Sequence, residues 1–161
     1  MANYTGANVI VAGDVTKYQP DAFDFGLANN STEVVNFLAQ TTNDILRQLR
    51  IEWWPVYKTN IFTDITVLNT AEMVNTKVNL DQFERAGVYL FLGRFYLPAL
   101  TKFRPETEKD RFERMQEYYM SQYNIEWRMI LEDGVEYDVD SSGTIVANER
   151  EPLHGFRRLT R

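Results

Sequence analysis

The twelve residues from Asp138 to Glu149 carry oxygen ligands at the spacing of a calcium loop. Such a loop needs side-chain oxygens at its first, third and fifth positions, a glycine at the sixth, a backbone carbonyl at the seventh and a carboxylate at the twelfth. Ca²⁺ is a hard cation and prefers a cage of oxygen atoms, which is what this spacing supplies. The candidate metal ligands are Asp138, Asp140, Ser142, Thr144 and Glu149.

The same stretch also fits a β-hairpin without metal. Val135, Tyr137 and Val139 alternate with polar residues, and 141–143 would turn the chain back towards 144–146. In an EF-hand a helix runs directly into the loop and the loops occur in pairs, whereas here Asp133-Gly134 ends the helix and only one loop is found. A calcium loop and a structural turn therefore both stay open, and no cofactor other than calcium is expected.

Other catalytic chemistry has little support in the sequence. The chain has no cysteine, and its one histidine, His154, lies near the end, so thiolate sites and multi-histidine metal sites are excluded. P-loop, GxGxxG and GxSxG motifs are absent. Neighbouring carboxylates have no group beside them that would separate their pKa values. We expect a protein that is not an enzyme.

Size and net charge further narrow the class of protein to which this chain can belong. The chain has 161 residues, of which 44% are hydrophobic, enough for the core of one domain. Its net charge of -6 argues against a general binder of nucleic acid or membrane surfaces, which need a basic field. The first residues do not match a secretory signal. The most apolar window, 86–100, is shorter than the roughly 20 residues of a membrane helix, so a buried core helix is expected.

Hydrophobic periodicity predicts three main helices. The first begins at Asn30, which can form a capping box with Glu33, and ends near Pro55. The second runs from about 80 to 102 and should kink at Pro98, and the third runs from about Glu106 to Asp133. The apolar stripe of the third helix is Phe112, Met115, Tyr119, Tyr123, Trp127, Ile130 and Leu131. Aromatic residues are so abundant that some should face other subunits.

The predicted fold class is mainly α: a small bundle of three to four helices with a short β-hairpin or calcium-loop-like turn and extended N- and C-terminal arms. Within the arm at the start of the chain, residues 9–12 could form a short strand. The predicted segments are an extended arm (1–29), a helical bundle (30–134) with an irregular insertion (56–79), an acidic hairpin or loop (135–149) and a basic arm (150–161). Long insertions of this kind tend to contact partners.

The basic arm holds four arginines against Glu151 alone. Arginine forks interleaved with apolar anchors are typical of protein interfaces, so docking is favoured over phosphate binding or a solvated end. The candidate docking residues are Leu153, Phe156, Arg157, Arg158, Leu159 and Arg161.

This layout resembles the head-to-tail connectors of tailed bacteriophages, also called adaptor or head-completion proteins. The resemblance rests on the helix ending in Trp53-Trp54-Pro55, the helix of 91–100 and the 138–149 turn that leads to the Arg157–Arg161 ending. It covers roughly residues 31–161 and is a match of layout. The N-terminal arm and the 56–79 segment depart from the family's minimal three-helix pattern.

The resemblance implies a structural virion protein in the neck between head and tail, made in the host cytoplasm. It implies a homo-oligomeric ring of twelve copies that docks on the portal through residues 150–161, contacts tail or neck proteins below and lets packaged DNA pass through a channel. A single calcium-binding interaction module is the alternative, and a small hydrolase is a weaker one.

Overall fold

The computed structural model describes residues 8–101, 111–146 and 149–151, and it confirms a mainly α-helical fold. The α-helices are α1 (Ala12–Tyr18), α2 (Thr32–Glu52), α3 (Trp54–Ile61), α4 (Ile65–Thr70), α5 (Glu84–Leu90), α6 (Leu97–Leu100) and α7 (Arg111–Asp133). Turns of 3-10 helix cover Ala22–Phe25, Asn75–Lys77 and Leu80–Phe83, and a π-helix covers Phe91–Tyr96. Two short strands, β1 (Val135–Glu136) and β2 (Arg150–Glu151), pair antiparallel. No helix in these ranges is both long and apolar enough to cross a membrane.

The described residues divide into two compact units. We call residues 8–44, 83–101 and 111–127 the helical unit, and residues 45–82, 128–146 and 149–151 the loop unit. This division differs from the consecutive segments expected from the sequence. Each of the long helices α2 and α7 contributes residues to both units, so the boundary falls inside a regular helix where composition does not change.

The beginning of the helical unit is not the extended arm that we expected. The Val9 amide donates to Thr42 Oγ1 of α2 at 2.9 Å, and Val9 and Ile10 are buried. The predicted strand is also wrong, because the Asp14 carboxylate accepts a hydrogen bond from the Val11 amide (2.9 Å) and thereby caps α1. This acid-to-amide contact favours a helix over an isolated strand, which would have no neighbour to pair with.

The predicted second helix is a continuous series of different helical turns. It opens with 3-10 helix, continues as α5 and widens into the π-helix, in which the Leu97 amide donates to the Leu92 carbonyl five residues earlier. Pro98 lies in the first turn of α6, where a missing amide hydrogen matters least. The wider turns of the π-helix thus directly precede the helical turn that contains Pro98. As predicted, the apolar part of α5 is buried, because Ala86 to Leu90 are all buried in succession.

The stripe predicted for α7 is confirmed. Tyr119, Tyr123, Trp127 and Leu131 are buried, and the other predicted members are half-buried. The helix ends at Asp133 because Gly134 adopts a positive φ of 97° and its amide closes the last turn on the Ile130 carbonyl (3.0 Å). The predicted start near Glu106 lies outside the described residues.

In the loop unit, we expected the 56–79 segment to be irregular, but it contains most of α3, all of α4 and a turn of 3-10 helix. Trp53 separates α2 from α3, and Pro55 occupies the first turn of α3. Asp64 caps α4 by accepting from the Thr66 amide at 2.8 Å. Short helices with Asp and Pro at their starts escape a periodicity search, because about two turns or fewer give no clear stripe.

Candidate cation-binding loop

The 138–149 loop is fixed at both ends by backbone pairing inside the loop unit. The Tyr137 amide donates to the Glu149 carbonyl (3.0 Å), and the Asp138 amide donates to the Lys77 carbonyl (2.9 Å). Val78 and Tyr137 also form an antiparallel bridge. The first and last residues of the loop are therefore held side by side before any ligand is considered.

An aromatic cluster of Trp53, Trp54, Tyr57 and Tyr137 supports the loop at its first residue. The Tyr137 ring lies 5.3–5.8 Å, between centroids, from the other three rings. Its hydroxyl accepts a hydrogen bond from the Val74 amide (3.1 Å), and burial raises the pKa of Tyr137. Asp138 follows this buried ring directly, so packing sets the position of the first candidate ligand.

The strands that bracket the loop differ from the predicted hairpin. β1 pairs with 150–151 and not with 144–146, and residues 138–146 contain no strand, so the predicted hairpin is wrong. Ser141 (φ 61°) and Gly143 (φ 76°) both take left-handed conformations. These conformations curl the backbone around the Asp138 carboxylate instead of extending it into a ladder.

The carboxylates of Asp138 and Asp140 organise the first half of the loop. Asp138 Oδ1 accepts from the Ser142 amide (3.0 Å) and Oδ2 accepts from the Gly143 amide (2.8 Å). Asp140 Oδ1 also accepts from the Ser142 amide (2.9 Å). Hydrogen bonds from Ser142 lower the pKa of Asp140, because they favour the charged carboxylate.

Glu149 closes the loop from its other end. Its Oε1 accepts from the Val139 amide (2.7 Å), and its Oε2 accepts from the Val146 amide (3.0 Å). One oxygen from each of Asp138, Asp140 and Glu149 lies within 4.8 Å of the others. Asp138 and Glu149 are buried, whereas Asp140 is exposed.

Three negative charges at this distance repel one another, and no lysine or arginine in the described ranges forms an ion pair with them. The Lys77 ammonium reaches the loop, but there it donates to the Val139 carbonyl. Backbone amides donate to all three carboxylates, and a divalent cation would suit the oxygen set.

Ser142 and Thr144, the other two candidate ligands, contact each other. The Ser142 hydroxyl donates to the Thr144 carbonyl at 3.0 Å. Both oxygens would have to turn from this contact towards a cation. The structure thus brings the three predicted carboxylate ligands together, and the sequence did not reveal the support from Lys77 and the aromatic cluster. The alternation of Val135 and Tyr137 was the one signal in the sequence that pointed to this support.

The candidate docking residues Leu153, Phe156, Arg157, Arg158, Leu159 and Arg161 lie outside the described residues. An open pocket of about 430 Å³ also occurs in the loop unit, lined by Arg50, Trp54, Ala71, Glu72 and Met73. Its arginine already donates to Asn75 Oδ1 (3.0 Å).

Comparisons of the chain with protein-family models, curated proteins and solved structures found no match.

Proposed function

We propose that the protein is a structural virion protein, a head-to-tail connector that forms a ring and joins the portal of a tailed bacteriophage to its tail. The resemblance in layout supports this proposal, and a mainly α-helical fold is compatible with it. In this role residues 150–161 dock on the portal, tail or neck proteins bind below, and packaged DNA passes through the channel. The protein would be made in the host cytoplasm and would reside in the virion neck.

The observation that carries the proposal is α4. None of its residues is buried, and Ile65 and Val67 are 71% and 43% exposed. A six-residue helix is not stable in water on its own, so burial of an apolar face normally stabilises it. A partner that covers Ile65 and Val67 would supply this burial, as adjacent subunits of a ring would.

The test is to measure the mass of the purified protein by light scattering and to image it by negative-stain microscopy. Both measurements are made on the protein alone and on its mixture with the portal protein of the same phage. We expect rings in at least the second condition. The double variant Ile65→Ser, Val67→Ser should form far fewer rings with little change in melting temperature, because neither side chain is buried in the subunit. The control Asn69→Ser changes an exposed polar residue of the same helix and should assemble normally. Absence of rings in both conditions would refute the proposal.

A second candidate function, a calcium-binding interaction module, is favoured by the three carboxylate oxygens within 4.8 Å. Ca²⁺ bound only by the folded protein would stabilise it by about 2.7 kcal/mol at a hundred times its dissociation constant. We therefore expect a higher melting temperature in Ca²⁺ than in EDTA.

The variants Asp140→Asn and Glu149→Gln should reduce this shift, whereas Glu72→Gln, an exposed acid outside the loop, should keep it. Tb³⁺ is a suitable probe, since Tyr137 and the tryptophans of the aromatic cluster can sensitise its emission. If neither Ca²⁺ nor Tb³⁺ produces a signal that the loop variants remove, the loop is a structural turn.

A further inference from the structure

The outward face of α7 carries apolar side chains that nothing in the described structure covers. Tyr118, Ile125 and Met129 are 58%, 49% and 42% exposed. Their spacings of seven and four residues keep them within about 40° of one another around the helix axis. They lie opposite the buried stripe of Tyr119, Tyr123 and Trp127, so α7 has an inward and an outward apolar side.

Opposite charges flank these side chains on the same outward face. Arg114 precedes Tyr118 by one turn, and Glu132 follows Met129 by almost one turn. Both are exposed, and neither forms an ion pair in the described ranges. Since α7 is one continuous helix, helical geometry alone fixes the positions of these residues along and around its axis.

The pattern is close to symmetric about the middle of the helix. The midpoint between Tyr118 and Ile125 along the helix falls between residues 121 and 122. The midpoint between Arg114 and Glu132 falls at residue 123. The two centres differ by about 2 Å along the axis at 1.5 Å per residue. An antiparallel copy of α7 would therefore place Tyr118 against Ile125 and Arg114 near Glu132, each contact occurring twice.

Arg114 and Glu132 stand near opposite ends of the outward face, so they decide the orientation of a second copy. A parallel pair would instead place each arginine near its own copy and each glutamate near its own copy. Charge complementarity thus selects a second copy in the antiparallel orientation.

We propose that α7 is a two-fold, self-complementary interface through which the free protein forms a dimer. Burial of Tyr118, Ile125 and Met129 drives the contact, and the charged pairs set its orientation and register. This goes beyond the proposed ring. In an isologous contact the same surface of both subunits is buried, so no third copy can bind there and the contact cannot form a ring of twelve. The ring would need a separate surface, such as α4.

Sedimentation equilibrium over micromolar protein concentrations, at low and high salt, tests the proposal. We expect a dimer that weakens with salt. Arg114→Glu and Glu132→Arg should each raise the dimer dissociation constant at least about tenfold, since both create repeated like-charge contacts. The variant that carries both changes should dimerise within a few-fold of the wild type, because every pair again joins opposite charges.

Ile125→Ser should weaken the dimer at all salt concentrations, and Arg47→Glu, a reversal at an exposed position of α2, should not. All these side chains are exposed, so circular dichroism should show unchanged folding. If rings obscure the dimer, the comparison is made in the Ile65→Ser, Val67→Ser background. A monomer at every concentration, or a double charge swap that stays as weak as its single parents, would overturn the α7 interface. Either result would leave the ring proposal standing, because α4 carries that proposal.

Discussion

Gly93 shows how a single residue sets the packing of the helical unit. A Cβ atom at this position would lie 2.9 Å from both Cγ and Sδ of Met120 and 3.1 Å from its backbone nitrogen. The side chain of Met120 can rotate away, but its backbone belongs to α7 and cannot move without shifting the helix. Only glycine therefore permits this close approach between the π-helix and α7.

We predict that Gly93→Ala destabilises the protein by about 1–3 kcal/mol through overpacking, despite the better helix propensity of alanine. The free energy of unfolding from urea titration measures the effect. Gly13→Ala in α1 is the control, because a Cβ there meets nothing within 4 Å. It should be neutral or stabilising by up to about 1 kcal/mol. Equal effects of the two substitutions would show that the contact with Met120 is unimportant.

At the scale of elements, local side-chain chemistry predicted the long helices α2 and α7 but missed the start of α2 by a residue. The expected cap of α2 was Asn30, whereas Ser31 Oγ accepts the hydrogen bond from the Val34 amide (3.2 Å) and the helix starts at Thr32. Both residue types are good N-caps, and the sequence around them does not discriminate between adjacent positions. The stop of α7 was predictable because Asp133-Gly134 is an unambiguous breaker.

The acidic loop shows where element-level reasoning fails. Alternation at Val135 and Tyr137 correctly indicated a strand, yet its partner lies at 150–151 beyond the whole loop. A hairpin prediction looks for the nearest returning strand, because short loops are the commonest. Here the amides of 142 and 143 donate to Asp138, and those of 139 and 146 donate to Glu149, so these four amides are satisfied without a ladder.

For the whole molecule, buried tyrosines make stability sensitive to alkaline pH. Burial raises the pKa values of Tyr96, Tyr119 and Tyr137 above the ordinary value of 10.0. The folded protein therefore keeps these phenols protonated at a pH where the unfolded chain ionises them. Their contribution to stability is complete below about pH 10 and is lost as the pH rises through the folded pKa values.

We predict that the urea midpoint falls steeply between about pH 9.5 and pH 11, beyond the decline seen from pH 8 to 9.5. Tyr137→Phe should reduce this slope, because one of the three phenols is removed. The same variant should lower stability somewhat at every pH, since Val74 loses a hydrogen-bond acceptor. A midpoint that does not change above pH 9.5 would contradict the prediction.

The sequence by itself determined the helical class, the apolar stripe of α7, the buried α5 and the spacing of the oxygen ligands. Each of these depends on residues close together in the chain, for which periodicity and propensity are sufficient. Tertiary structure alone decided the partner of β1, the anchoring of Val9 on α2, the approach of Gly93 to Met120 and the division into two units. These features depend on contacts between distant residues, and many pairings of distant residues are compatible with one local pattern.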